Sequence, residues 1–312
     1  MLVSGQSTPI VVAGEALVDL VIDTAGAVTA KLGGGPYNTA RTIGRLGLPV
    51  GFLGSVSTDR FGSQLFAALG ADGVSDGATV RTDLPTTLAA AEVDDRGAAT
   101  YHFYFAGTSA PALDHVPAAA LAPTAVHLGT LGLVLEPMAT TLLRYLQSLP
   151  ASTMVMIDPN CRPAVVTNRS AYVARVTEAC RRADVVKIST DDAEFLAPDT
   201  PPLDFARALL DLGPRAVLLT AGGDGVHVVC AEGERMVPTQ PITVADTIGA
   251  GDSFGGGFLA HWVLNGRSRE QLAELDLVVQ STVAAQEVSA ITCQRIGADP
   301  PRRNELSSLW NA

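Results

Sequence analysis

Lysine is almost absent from the sequence, which has only Lys31 and Lys187 among its 312 residues. Neither lysine follows a glycine, so the chain lacks the Gly-Lys-Ser/Thr core of a phosphate-binding P-loop. The other nineteen basic residues are arginines scattered along the chain, and the formal net charge is -11. Because this charge repels a polyanion, we expect no nucleic-acid partner.

Cysteine is also scarce, and long apolar runs are missing. The four cysteines are far apart and form no Cys-x-x-Cys pair, which favours reduced thiols over a disulfide framework or a zinc site. No run approaches the roughly 18 apolar residues that span a bilayer, and the first residues lack the charged and apolar segments of a secretory leader. We therefore expect a cytoplasmic protein with no membrane partner.

The composition otherwise suits a large hydrophobic core, since 47% of the residues are hydrophobic. The sequence has no evident internal repeat or low-complexity tract. We expect one main domain over residues 1–312, with a small part inserted in it.

Short apolar runs alternate with helical patterns between residues 126 and 229. This alternation is typical of an α/β fold with a doubly wound, mostly parallel sheet flanked by helices. Residues 98–105 instead show an aromatic-rich alternation bounded by glycines, which predicts an antiparallel strand with one exposed face. The predicted strands are 49–56, 126–128, 155–157, 185–188 and 216–220, and the predicted helices are 59–69, 136–149, 171–182 and 203–212.

A glycine-rich turn runs into a helical pattern at residues 246–258, whose sequence is DTIGAGDSFGGGF. Bulky apolar residues recur at helical spacing after Asp252, which predicts a helix that begins at about Gly251. Gly249, Ala250 and Gly251 are too small to shield their amide groups, so this helix N-terminus could receive an anion such as a phosphate. Asp252 would lie beside the anion, where a base could accept a proton from an attacking hydroxyl.

Two better-known glycine motifs do not fit this turn. A dinucleotide fingerprint needs a glycine three residues after Gly251, where the chain has Phe254, and the positions of the two lysines exclude a P-loop. A helix capped by an aspartate, with glycines for close packing, is the structural alternative.

Three further polar residues lie at predicted turns. Asp19 follows the apolar run 10–12, where a carboxylate either accepts hydrogen bonds from ligand hydroxyls or belongs to a turn. Asn38 follows the glycines at 33–35, where it either contacts a ligand or caps a helix. Arg162 ends the sequence DPNCR; without a P-loop lysine it is our candidate to neutralise a transferred phosphoryl group, with a surface ion pair as the alternative.

These motifs resemble those of the ribokinase-like (phosphofructokinase-B type) sugar kinases. Residues 246–254 are similar to the family signature D-T-x-G-A-G-D-x-F, residues 33–40 to G-G-x-x-x-N-x-A, and DPNCR to the D-P-N-x-R of the fructokinase and ketodeoxygluconate kinase branch. The resemblance implies an ATP-dependent carbohydrate kinase with a ribokinase-like fold. It also implies a small β-sheet lid, formed by about residues 20–32 and 79–106.

The resemblance also implies roles for individual residues around the sugar. Asp252 is the implied general base, and the amides of Gly249, Ala250 and Gly251 form the implied anion hole, which Arg162 complements. Gly35 stands where ribokinases often carry lysine, which argues against ribose. The implied substrate-binding residues are Asp19, Gly34, Gly35, Asn38 and Tyr104.

Weaker matches imply the nucleotide and metal sites. Residues 220–225 match the T-x-G-x-x-G segment along the nucleotide, and residues 292–298 resemble the segment that walls the adenine pocket. Ser189 and Asp192 stand for the family's N-x-x-E element, so Asp192 is the implied magnesium contact, through water. Asp191, Glu194 and a plain acidic helix start are alternatives. The implied cofactors are ATP and Mg²⁺, with K⁺ left open. The implied nucleotide-binding residues are Lys187, Thr220, Gly222, Gly225 and Ala298.

The substrate is the part that the sequence determines least. The DPNCR motif, the Gly14-Glu15-Ala16 turn and the missing lysine at Gly35 favour fructose, with ketodeoxygluconate, ribose or a nucleoside as alternatives. The predicted lid segment 79–106 offers only Arg81 and Arg96 among four acidic residues, which argues against an acidic sugar. An aromatic slot for a nucleoside base could come from Tyr101, Phe103 or Tyr104.

Two expectations concern the protein as a whole. A small sheet as apolar as the predicted lid must bury its second face, so we expect a homodimer formed through the lid. A non-catalytic sensor of sugar or nucleotide on the same fold is the competing class, which Asp252 disfavours because binding alone needs no base.

Overall fold

The computed structural model describes residues 10–93 and 99–311, which form fifteen β-strands and eight α-helices. The strands are β1 Ile10–Ala13, β2 Leu17–Ile22, β3 Val28–Gly33, β4 Val50–Leu53, β5 Ser55–Ser57, β6 Val74–Ser75, β7 Val80–Thr82, β8 Leu88–Val93, β9 Ala99–Tyr104, β10 Ala125–Gly129, β11 Met154–Asp158, β12 Val185–Ser189, β13 Ala216–Thr220, β14 Val226–Cys230 and β15 Gly233–Val237. The helices are α1 Gly35–Arg45, α2 Arg60–Ala71, α3 Met138–Ser148, α4 Arg169–Arg182, α5 Thr190–Leu196, α6 Pro202–Leu210, α7 Ala250–Leu264 and α8 Leu275–Cys293.

The main sheet has nine strands in the order β15-β14-β13-β12-β11-β10-β1-β4-β6. Every neighbouring pair from β13 to β6 is parallel, and β14 and β15 continue the sheet as an antiparallel edge. β1, β4, β10 and β11 are buried along their whole length, as expected of parallel strands covered on both faces. The predicted α/β fold with a mostly parallel sheet is confirmed.

Two hydrophobic clusters cover the two faces of this sheet. Ile10 and Val12 of β1 belong to the cluster that includes side chains of α1, α2, α7 and α8. Val11 and Ala13, which point the opposite way, belong to the cluster that includes side chains of α3 to α6. The predicted helices from 136 to 212 are all present, with ends that differ by one or two residues. No helix in the described ranges is long and apolar enough to cross a membrane.

A separate four-stranded sheet has the order β3-β2-β8-β9. β2 pairs in parallel with β8, and the two outer pairs are antiparallel. Its strands lie in or beside the predicted lid segments, which confirms a small second sheet. β7, although inside the predicted segment 79–106, pairs with β5 instead.

The prediction of one strand over residues 49–56 is wrong, because the chain turns at Gly54. β4 before the turn belongs to the main sheet, and β5 after it pairs with β7 outside that sheet. A Cβ atom at Gly54 would lie 2.5 Å from the carbonyl oxygen of Gly14. This close approach needs glycine, and a run of apolar residues did not reveal it.

Helix α7 is buried on nearly all sides, which differs from the single apolar face expected from its bulky residues. Its three consecutive glycines let neighbouring helices approach closely: a Cβ at Gly256 would lie 2.9 Å from Thr42 of α1, and one at Gly257 would lie 3.2 Å from the Cα of Ala285 of α8. The helix begins after Gly249, whose φ of 77° is left-handed. Its first turn lies close to β12, because a Cβ at Gly251 would lie 3.0 Å from Lys187 Nζ.

Candidate active site

Asp252 lies in the first turn of α7, as predicted, and its carboxylate is held by α1. Asn38 Nδ2 donates a hydrogen bond to Asp252 Oδ2 at 2.9 Å, and the Thr39 hydroxyl donates to the backbone oxygen of Asp252 at 3.2 Å. Burial raises the pKa of Asp252, and the hydrogen bond from Asn38 and the charges of Lys187 and Arg162 oppose this shift. The carboxylate is therefore held in one orientation by α1.

Asp252 opens onto a cavity of about 810 Å³ at the carboxyl ends of the main strands. The small sheet forms one wall, and α7 and α1 form others. Two of the three predicted anion-hole residues, Gly249 and Gly251, line this cavity. Ala250 does not line it, and its amide donates to the Thr247 oxygen at 3.2 Å. The first-turn amides left for an anion are those of Gly251 and Asp252, since such amides lack acceptors within the helix.

Two more carboxylates line the cavity, at positions carried by β2 and the turn before it. Asp19, predicted from the sequence, is one of them, and burial raises its pKa to about 6. Glu15 is the other; its Oε1 accepts a hydrogen bond from the Gly35 amide at 3.1 Å, and burial raises its pKa to about 8. The charge of Arg162 opposes both shifts, and that of Asp252 adds to them.

The glycines before α1 are required by the close approach of other groups. A Cβ at Gly34, whose φ is 111°, would lie 2.7 Å from the Glu15 oxygen. A Cβ at Gly35 would lie 2.6 Å from Thr130 Oγ1, 3.1 Å from Asp252 Oδ1 and 3.2 Å from Asn160 Nδ2. The predicted residues Gly34, Gly35 and Asn38 all line the cavity.

Tyr104, which we predicted at the sugar site, does not lie on the cavity wall. Tyr104 is 60% exposed and does not line the cavity, whereas Tyr101 and Phe103 of the same strand do. Successive side chains of a strand point to opposite faces, so Tyr104 lies on the outer face of the small sheet. The sequence showed this alternation, but which face turns inward depends on how β9 pairs with β8.

Arg162 lines the cavity, as predicted, and is held by its own turn. Its Nη1 donates to Asn160 Oδ1 at 2.7 Å and to the oxygens of Asn160 and Cys161 at 3.1 Å each. Among the described residues no carboxylate lies within 4.0 Å of its guanidinium nitrogens, so the surface ion pair is not what the structure contains. The positive charge of Arg162 is available to an anionic ligand.

Lys187 lies beneath the first turn of α7 and not on the cavity wall. Its Nζ lies 2.9 Å from Asp158 Oδ2, and both side chains are at least 95% buried. A Cβ at Gly251 would lie 3.0 Å from the same Nζ, so the ammonium group is directly below this glycine. Burial raises the pKa of Asp158 to about 6 while Lys187 opposes the shift. Burial also opposes the charge of Lys187, but Asp158, Asp192 and Asp252 raise its pKa on balance.

Asp192, the predicted magnesium contact, has both carboxylate oxygens in hydrogen bonds with the protein. Oδ2 accepts from the Ser189 amide at 2.8 Å and from its hydroxyl at 2.7 Å, which completes a capping box at the start of α5. Oδ1 accepts from the Cys161 amide at 2.6 Å and so holds the DPNCR turn. No group of three His, Cys, Asp or Glu side chains in residues 10–93 and 99–311 could hold a metal ion. The water-mediated role of Asp192 stays a prediction.

Of the predicted nucleotide residues other than Lys187, Ala298 lies beside the α7 N-terminus and the rest lie at or after the end of β13. Ala298 packs on Gly249, since a Cβ at Gly249 would lie 2.6 Å from the Ala298 Cβ. Gly222 and Gly225 have positive φ in the predicted turn between β13 and β14, and open space surrounds the Cβ position of Gly222. Thr220 ends β13, next to that turn. None of these four residues lines the cavity around Asp252.

The residues of the cavity wall that sequence reasoning missed include Glu15, Thr130 and Asn160. Asn160 was part of the DPNCR motif but received no role, and Glu15 was noted only as part of the turn before Asp19. Thr130 directly follows β10, and its position at a strand end was the signal that could have identified it.

Comparison with known proteins shows that the chain is similar to carbohydrate kinases. The sequence matches the model of the pfkB family carbohydrate kinases over residues 7–304. A fructokinase of Rhizobium leguminosarum bv. trifolii is 31% identical over 270 residues, which cover 84% of this chain and 82% of the relative.

Two solved structures share the fold. Fructokinase with bound ATP from Xylella fastidiosa has a TM-score of 0.87 and 25% identity, covering 98% of this chain and 99% of that one. Fructokinase from Vibrio cholerae O395, bound to fructose, ADP and calcium ion, has a TM-score of 0.80 and 25% identity, covering 94% and 95%. These likenesses confirm the resemblance found in the sequence motifs, and the chain belongs to the pfkB family of carbohydrate kinases.

Proposed function

We propose that this sugar kinase transfers the γ-phosphoryl group of ATP to a primary hydroxyl of fructose. The observation that carries this proposal is the Asp252 carboxylate, which Asn38 orients at a helix N-terminus facing the cavity. Asp252 accepts the hydroxyl proton, the sugar oxygen bonds to the γ-phosphorus, and the bond from phosphorus to the β–γ bridging oxygen breaks to release ADP.

Three features of this chain carry positive charge that can stabilise the negative charge of the transferred phosphoryl group. The amides of Gly251 and Asp252 lie at the positive end of the α7 dipole, which favours an anion. Arg162 contributes a guanidinium on the cavity wall, and Lys187 contributes a buried ammonium below Gly251. Preorganised positive groups of this kind stabilise the charge that develops during transfer.

The lining of the cavity favours a neutral sugar. Among the described residues that line the cavity, Arg162 is the only cationic side chain, and the carboxyl groups of Asp19 and Asp252 line the same cavity. Arg81, one of the two lid arginines, lies over the ring of Phe66 and donates to the Ser57 oxygen, away from the cavity. Arg96, the other, lies outside the described residues. A carboxylate-bearing sugar such as ketodeoxygluconate would meet more repulsion than attraction.

Magnesium fits this site only when the phosphates of the nucleotide bind it. The described residues contain no cluster of three side chains for a metal, and Asp192 already uses both oxygens in hydrogen bonds. Mg²⁺ commonly keeps several waters and binds substrate phosphates, whose charge it then neutralises. We assign Asp192 to its water shell and the residues Thr220, Gly222, Gly225 and Ala298 to the nucleotide, and we leave K⁺ as an ion to be tested by salt substitution.

A panel of acceptors tests the assignment of the substrate. ADP release from ATP should have its highest kcat/KM with fructose among fructose, ribose, ketodeoxygluconate, tagatose and adenosine. Tyr101 and Phe103 stack at 6.1 Å on the cavity wall and could hold a nucleoside base, which makes adenosine the informative competitor. A higher value for ribose or adenosine would reject fructose, and sugar binding without turnover of any acceptor would favour the non-catalytic sensor.

We further propose that the four-stranded sheet β3-β2-β8-β9 is a lid inserted in a single domain and that its outer face forms a homodimer. Val28 and Tyr104 are 58% and 60% exposed, and the alternation of the strands places both on the face opposite Asp19. An apolar face of this kind favours burial against a second copy.

Light scattering at micromolar protein should give the mass of a dimer, and Tyr104→Glu should shift it to that of a monomer. A monomeric parent protein would contradict the proposed dimer.

Cell fractionation with an antibody checks the proposed cytoplasmic location.

A further inference from the structure

Two non-glycine residues in the described ranges have a left-handed backbone, and both line the cavity. Thr130 has a φ of 50° and Asn160 a φ of 39°. Asparagine tolerates this region, but a β-branched threonine is a genuine outlier there. Strained residues of this kind persist only where the surrounding structure holds them, and they concentrate at functional sites.

The two strained residues lie side by side at the ends of neighbouring strands. Gly129 of β10 pairs with Asp158 of β11, so Thr130 lies one residue and Asn160 two residues beyond a paired position. Asn160 Nδ2 donates to Thr130 Oγ1 at 3.2 Å, and Arg162 Nη1 donates to Asn160 Oδ1 at 2.7 Å. Both ends of the Asn160 amide are thereby fixed, and the left-handed backbones are what bring these side chains together.

This chain of hydrogen bonds ends beside the proposed base. Thr130 Oγ1, Asn160 Nδ2 and Asp252 Oδ1 lie 2.6, 3.2 and 3.1 Å from the same point, the Cβ position of Gly35. The Thr130 hydroxyl accepts the bond from Asn160 and still carries a proton that it can donate. Two donors and one acceptor therefore lie close together on the cavity wall, and any side chain at position 35 would press against them.

We propose that Thr130 and Asn160 determine sugar specificity by binding the oxygen that neighbours the reacting hydroxyl. The inference rests on the proposed function and deepens it: the substrate is a neutral polyol with oxygens on adjacent carbons. Asp252 takes the proton of one oxygen, while the donors of Thr130 and Asn160 hold the other. Contact with this oxygen would give the strained backbone at Thr130 a function.

Thr130→Val removes the hydroxyl and keeps the shape of the side chain. It should raise the KM for the best sugar of the acceptor panel about tenfold while the KM for ATP stays within twofold, because one hydrogen bond to the sugar is lost. Thr130→Ser should restore the parent KM to within about threefold. The matched control is Thr153→Val, which removes a buried hydroxyl that bonds the Pro123 oxygen at the opposite end of β11 and should leave both KM values unchanged.

Thr130→Gly separates a functional role from a structural one. Glycine adopts a positive φ without strain, so this variant should have a Tm no lower than the parent and yet show the same loss of sugar affinity. The sugar-induced rise in Tm should shrink in parallel, a readout that needs no turnover.

Three results would overturn the inference: an unchanged sugar KM in Thr130→Val or Thr130→Gly, an equal rise of both KM values, or a Thr130→Gly variant that loses stability and keeps its sugar response. A parent enzyme that turns over no sugar would reject the proposed function instead, and the Tm response of the variants would still decide the role of Thr130. Analogues of the best sugar that lack one hydroxyl add a final check. For the analogue that lacks the oxygen bound by Thr130, the KM of Thr130→Val should equal that of the parent protein.

Discussion

Asp252→Asn is expected to lower turnover at least about 10²-fold, in keeping with the loss of general-base assistance. The asparagine amide can keep a hydrogen bond with Asn38 but cannot accept the hydroxyl proton. The positive end of the α7 dipole and Arg162 remain in place, so the affinity for ATP should be retained. Calorimetric titration with ATP and steady-state kinetics measure the two quantities separately.

The dependence of this activity on pH gives a second test of Asp252. Burial raises the pKa of Asp252, so kcat/KM of the parent enzyme should fall as the pH drops through this raised pKa and the carboxylate becomes protonated. This acidic limb should be absent from the Asn variant. Asp276→Asn, at an exposed position of α8, makes the same change of charge and should alter neither the rate nor the profile. Unchanged turnover in Asp252→Asn would reject the mechanism.

Of the substitutions proposed for this protein, Lys187→Met should cause the largest loss of stability. We expect the free energy of unfolding at pH 8 to fall by about 3–5 kcal/mol. The change leaves the Asp158 carboxylate buried and without its cation, since Lys187 Nζ is its partner at 2.9 Å. Protonation of Asp158 relieves this cost. Because the pKa of Asp158 is about 6 with Lys187 present and should rise further without it, the loss should shrink as the pH falls towards 5.

Urea unfolding of both proteins at pH 5 and pH 8 measures this difference. The chain provides its own control, because its one other lysine, Lys31 on β3, is exposed and Lys31→Met makes the same chemical change. Asp158→Asn added to Lys187→Met should recover part of the stability, since the uncompensated charge is then removed. An equal and small effect of the two lysine substitutions would show that the buried pair does not contribute as argued.

The sequence predicted those features of the site that depend on local pattern. The glycine-rich turn with Asp252 in the first turn of a helix and Arg162 in the turn after β11 lie on the cavity; Asp19 does too, although it belongs to strand β2 and not to a turn. The alternation of apolar runs with helical patterns predicted the mostly parallel sheet, because strand and helix periods differ and each can be read over a few residues. Family motifs then related these positions to a sugar kinase.

Other features required the tertiary structure because they depend on the distance between segments that are remote in sequence. The pairing of β8 with β9 turned Tyr101 and Phe103, and not Tyr104, to the cavity. The pairing of β10 with β11 brought Thr130 to Asn160, and packing of α7 on the sheet placed Lys187 below Gly251. Local pattern determines the conformation of a segment and which residues share a face, whereas the partner of that face is chosen by packing and strand register.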